Sequence, residues 1–107
     1  MSYVRVTSSD ELRSGDMTGL FVNGHRILLV CFDDRIYAWE DRCAHLGMPL
    51  SRGTLEGTTL TCSAHHFQYD AVSGRGINPR NVCLRPYAVK LENGGIYVDV
   101  GDAGARE

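Results

Sequence analysis

Cysteine and histidine alternate along this chain: Cys43-Ala44-His45 is followed, sixteen residues on, by Cys62-Ser63-Ala64-His65, a C-x-H-x16-C-x2-H pattern. No other feature constrains the fold as much. Two segments must lie side by side so that two thiolates and two imidazoles face one inorganic core. Neither pair sits in a long periodic run, so each reads as a loop, and residues 58–61 read as a strand between them. Four cysteines could also staple a secreted two-bridge scaffold. However, Arg5, Asp10, Glu11 and Arg13 interrupt any N-terminal apolar segment, so no secretory signal supports an oxidising compartment. Clustered Cys and His in a reducing compartment point instead to metal.

The 107 residues are expected to form one domain, 1–107, because two cores would leave each near the size at which folding needs staples. Apolar residues make up 43% and charged residues 22%, which excludes a disordered chain. Eleven basic against thirteen acidic residues leave a net charge of −2, with no basic surplus for nucleic acid or an anionic membrane. The longest apolar run, residues 27–32, is six residues, far short of a membrane span. The expectation is a small cytoplasmic monomer.

The chain reads as all-β. Asn23-Gly24 and Asn93-Gly94-Gly95 supply residues that accept positive φ between apolar runs, predicting hairpins of strands 17–22 with 25–32 and 87–92 with 96–100. Residues 35–40 follow an Asp33-Asp34 turn as another strand, and residues 3–6 form an edge. A single short helix is predicted, capped by Ser8 with Glu11 three residues on and stopped by Gly15. Residues 101–107 read as a loose tail.

Zinc in a structural module is one candidate for the core, but common zinc fingers keep both cysteines together and place both histidines on one helix. Alternation suits a two-iron cluster better, since each loop can give its cysteine to one iron and its histidine to the other. At this point the residues resemble a known family. Cys43-Ala44-His45-Leu46-Gly47 is similar to the first loop of Rieske proteins, and Cys62-Ser63-Ala64-His65-His66-Phe67-Gln68-Tyr69-Asp70 to the second. Gly74, Pro79, Leu84, Tyr87 and Val89 continue the likeness. It implies an antiparallel β base carrying a small two-loop subdomain, about residues 41–86, and one 2Fe–2S cluster held by Cys43, His45, Cys62 and His65. It also implies electron transfer, with no catalytic residue.

Two departures stand out. His66 occupies the place where the family usually has glycine, and Met48 and Ala64 replace the two extra cysteines that link the loops in high-potential members. Their joint absence resembles the soluble ferredoxin branch. Within it, Gly76-Ile77-Asn78-Pro79 and residues 83–87 are similar to ferredoxins of multicomponent toluene monooxygenases. That likeness implies an NADH-dependent flavin/iron–sulfur reductase as donor and a diiron hydroxylase as acceptor. The alternatives are a ferredoxin of a ring-hydroxylating dioxygenase, a nitrite reductase small subunit, or the zinc module.

High-potential members also place a serine two residues after the ligand histidine and a tyrosine two further on, both donating to cluster sulfurs. Phe67 and Tyr69 stand there. Tyr69 either keeps that donor or points its hydroxyl to solvent. Leu46, Met48, Pro49 and His66 border the ligands and are candidate partner-docking residues. Cys31 and Cys83 read as small hydrophobes, His25 as a surface strand residue, and Tyr37 and Trp39 as packing aromatics.

Overall fold

The computed structural model describes residues 3–33, 35–43, 49–63, 67–78 and 80–100. Its spine is the apolar run predicted from sequence. In β3 (His25–Phe32) every residue from Ile27 to Cys31 is buried. A strand sends successive side chains to opposite faces, so this one feeds two cores. Leu28 and Val30 enter one with Trp39, Leu60 and Tyr69; Ile27, Leu29 and Cys31 enter the other with Ile96 and Val98. A strand covered on both sides has no reason to alternate in polarity, and this one does not.

Around it lie β1 (Tyr3–Ser8), β2 (Met17–Val22), β4 (Arg35–Glu40), β9 (Pro86–Glu92) and β10 (Gly95–Asp99), in the order β1-β10-β9-β4-β3-β2. All the neighbours pair antiparallel. Both hairpins form where expected. Asn23 and Gly24 have φ of 50° and 83°, and Asn93 and Gly94 have φ of 51° and 77°, the double positive φ of a tight two-residue turn.

A second sheet of three-residue strands holds β5 (Thr54–Glu56), β6 (Thr59–Thr61), β7 (Gln68–Asp70) and β8 (Gly76–Asn78) in chain order. Of these, only β6 was predicted. All four are too short to show periodicity, and β6 is legible only from its place between the two Cys-His segments. Trp39, on β4, ties the sheets together: its indole N–H donates to the Ala71 carbonyl at 2.8 Å. Gly74, at φ +80°, lies under the same ring, where a Cβ would stand 2.5 Å from Trp39 Cζ3.

The predicted helix is reduced to one 3-10 turn, Ser9–Glu11, that ends before Gly15, and Ser8 makes no capping bond from its side chain. The Ser8 hydroxyl accepts instead from the Arg5 guanidinium at 2.9 Å.

Candidate metal centre

Each cysteine of the motif sits at the mouth of a loop whose ends are bonded together. For the first loop, the backbone N–H of Asp41 donates to the Arg26 carbonyl at 3.0 Å and that of Glu40 to Arg85 at 2.7 Å, fixing the exit from β4. The Asp41 side chain then reaches across the loop. Its carboxylate accepts the Ser51 N–H at 2.8 Å and the Ser51 hydroxyl at 2.7 Å. Asp41 is 5% exposed, so these bonds hold a nearly buried charge. Gly19 on β2 leaves room for the pair, since a Cβ there would lie 2.5 Å from Ser51 Oγ.

The second loop is closed by the backbone. Cys62 N–H donates to the Phe67 carbonyl at 2.8 Å, joining the end of β6 to the start of β7. Cys43 and Cys62 are both buried, and both belong to the core that contains Leu50, Leu60, Tyr69 and Trp39. The fold thus sends both motif cysteines into the same core.

Tyr69 lies at the centre of β7, opposite Leu60 on β6, and is fully buried. Its hydroxyl is 3.6 Å from Cys43 Sγ, within hydrogen-bonding reach for sulfur. Of the two positions left open by the sequence, the hydroxyl takes the one toward the thiol. Phe67 is half-buried against the same core and offers no donor there.

His45, Leu46, Met48, His65 and His66 lie outside the described residues. Among the described residues no group of three or more His, Cys, Asp or Glu could hold a metal ion. Pro49, the one docking candidate within them, is half-buried at the start of the turn Leu50–Arg52.

The other two cysteines part company. Cys31 packs in the base core as expected, whereas Cys83 is exposed. The expectation for Cys83 is corrected by its place in an isolated bridge with Arg75, outside any strand that would fold over it. None of the four cysteines forms a disulfide. His25 is more than a surface residue: its ring meets Tyr87 edge-on at 6.0 Å, with the Tyr87 hydroxyl 3.5 Å from Nδ1. The Asp41–Ser51 clamp was not read from sequence, although a carboxylate directly after a strand and a serine ten residues on bracket the first motif pair.

Residues 2–88 match the Rieske [2Fe-2S] domain family. The chain belongs to that family. The ferredoxin component of an alkene monooxygenase system from Xanthobacter autotrophicus is 37% identical, over 92% of this chain and 81% of that protein. The ferredoxin component of naphthalene 1,2-dioxygenase/salicylate 5-hydroxylase systems from a Ralstonia species is 31% identical, over 86% of this chain and 89% of that one. Among solved structures, the ferredoxin of carbazole 1,9a-dioxygenase from Nocardioides aromaticivorans superposes with a TM-score of 0.83 at 27% identity, covering 92% of this chain and 97% of that one.

The cofactor of this Rieske chain is a 2Fe–2S cluster, and the residues present fit it. Two buried thiols from two different loops, unlinked by a disulfide and with a tyrosine hydroxyl turned toward one of them, form a donor set suited to an iron–sulfur group. The match to the Rieske [2Fe-2S] family, rather than the thiols themselves, sets a structural zinc module aside.

Proposed function

We propose that this Rieske chain is the ferredoxin component of a multicomponent monooxygenase. It carries single electrons from an NADH-dependent flavin/iron–sulfur reductase to a diiron hydroxylase, and performs no substrate chemistry itself. The observation that carries this reading is the 37% identity to a monooxygenase ferredoxin along nearly the whole chain. The dioxygenase ferredoxins among the relatives and the solved structures favour a second reading, in which the acceptor is a ring-hydroxylating oxygenase. A toluene-type rather than an alkene-type acceptor rests on the short segments Gly76-Ile77-Asn78-Pro79 and 83–87.

Cys43 and Cys62 would hold one iron, and His45 and His65 the other. Bound in this way, the group supplies a one-electron couple, at a potential raised by exchanging two thiolates for neutral imidazoles. The chain's own residues supply its surroundings. Leu50, Leu60 and Trp39 keep water from the cysteine side, Tyr69 turns its hydroxyl to Cys43, and the Asp41–Ser51 pair closes the loop that presents His45. Residues 41–86 form the cluster-binding region of a single domain, which acts as a monomer in the cytoplasm. No described helix is long and apolar enough to cross a membrane. Leu46, Met48, Pro49 and His66, which flank the ligands in sequence, are the partner-docking residues of this reading.

The test is reconstitution. The purified chain, reduced by NADH and the reductase, is mixed with either a diiron hydroxylase or a ring-hydroxylating oxygenase, and product is measured against a mixture lacking the chain. The proposal expects turnover with the diiron partner that depends on this chain. Turnover with only the ring-hydroxylating oxygenase would select the second reading.

A further inference from the structure

We propose that the end of the molecule bearing Cys43 and Cys62 docks an acidic face of the oxygenase component, with Phe21 and Arg52 as lateral anchors of that contact. This rests on the electron-carrier reading above and adds the chemistry of the partner's surface.

The net charge of −2 hides a division. Residues 41–86 hold five arginines (Arg42, Arg52, Arg75, Arg80 and Arg85) against Asp41, Glu56 and Asp70, a net +2. The rest of the chain holds six cations and ten carboxylates, a net −4. All five arginines are exposed, and none forms an ion pair among the described residues. Their charge is therefore directed outward, while the Asp41 carboxylate is turned inward onto Ser51. A field of this kind orients a charged partner before contact and is weakened by salt.

Geometry places an apolar anchor beside one of these arginines, Arg52. Phe21, on edge strand β2, is 73% exposed, the most exposed large hydrophobic residue among those described. It faces Arg26 across the hairpin and shares with Pro49 and Arg52 a cleft of about 260 Å³. Arg52 also lines a neighbouring cleft that contains Cys62. Arg52 thus borders both the cleft of the exposed aromatic ring and that of the second-loop cysteine. Aromatic and arginine side chains are the residue types that most often dominate binding energy at interfaces. Charge complementarity commits the occupant to a carboxylate-rich surface.

The test uses the loaded protein, with its visible spectrum recorded first. Absence of a visible band that bleaches with dithionite would overturn the underlying reading. With the band present, the reduced protein is mixed in stopped flow with ferricyanide, a trivalent anion, and with hexaamminecobalt(III), a trivalent cation. Oxidation by ferricyanide should slow as salt rises, and oxidation by the cobalt complex should quicken. Arg52→Glu changes the local charge by two units. At roughly 10 Å in water and about 0.1 M salt, that should slow ferricyanide by about fivefold. Glu92→Lys, on the base, should leave the rate within about twofold. The opposite salt trends would overturn the charge inference alone. Separately, Phe21→Ala should weaken binding to the purified oxygenase by about tenfold with the visible spectrum unchanged. Unchanged affinity, or weakening toward the reductase only, would overturn the docking assignment.

Discussion

Replacing Tyr69 with phenylalanine removes one oxygen from a fully buried position and leaves the ring in place. The hydroxyl lies 3.6 Å from Cys43 Sγ, and with Tyr69 at 0% exposure no solvent can take over its role. In the loaded protein the thiolate accepts and the tyrosine donates. Electron density at sulfur is greater in the reduced state, so the bond stabilises that state more and raises the potential. A differential of about 1 kcal/mol is a fraction of the roughly 1.5–3 kcal/mol that a bond to a charged group contributes, as expected when only the change in charge between the two states counts. At about 59 mV per 1.4 kcal/mol for one electron, Tyr69→Phe should lower the potential by roughly 40 mV. Voltammetry on wild type and variant with matched visible spectra measures it. A shift of less than about 10 mV, well below what the bond energy requires, would refute the reasoning and leave Tyr69 a packing residue.

Other perturbations follow from the same geometry. Gly74→Ala combines a positive φ with a Cβ 2.5 Å from the Trp39 ring, and should destabilise thermal unfolding by about 3 kcal/mol; a cost below about 1 kcal/mol would mean that the ring moves aside freely. Asp41→Ala removes both acceptors of Ser51 and should cost about 2–3 kcal/mol, with Asp41→Asn costing less because one acceptor survives; equal losses would place the role in packing. Alkylation of the native protein should label exposed Cys83 and spare buried Cys31, as read by peptide mass; a Cys31–Cys83 disulfide in freshly isolated protein would contradict the structure.

Much of this architecture was legible because its signals are strong. Asn23-Gly24 and Asn93-Gly94 demand the backbone that they adopt, and strands β2, β3 and β4 run over the residues their composition marks. The small sheet was legible only at β6, from its place between the two motif loops; all four of its strands are three residues long and owe their existence to pairing rather than to pattern. Ser8 does stand at the N-cap, but the signature could not show that its hydroxyl meets Arg5 rather than the backbone of the turn. At the centre, Cys43 and Cys62, singled out by their spacing, enter one core. What spacing could not convey was long-range and side-chain specific: the Asp41 carboxylate gripping Ser51, the Trp39 indole on Ala71, and the direction of the Tyr69 hydroxyl.

The central claim, that Cys43 and Cys62 with His45 and His65 hold a single 2Fe–2S cluster, is tested most directly by iron and acid-labile sulfide analysis of wild type beside Cys43→Ala. The account predicts stoichiometric iron and sulfide for one cluster per chain in wild type, and neither in the colourless variant. A Cys43→Ala protein that kept the full wild-type complement of both would contradict it.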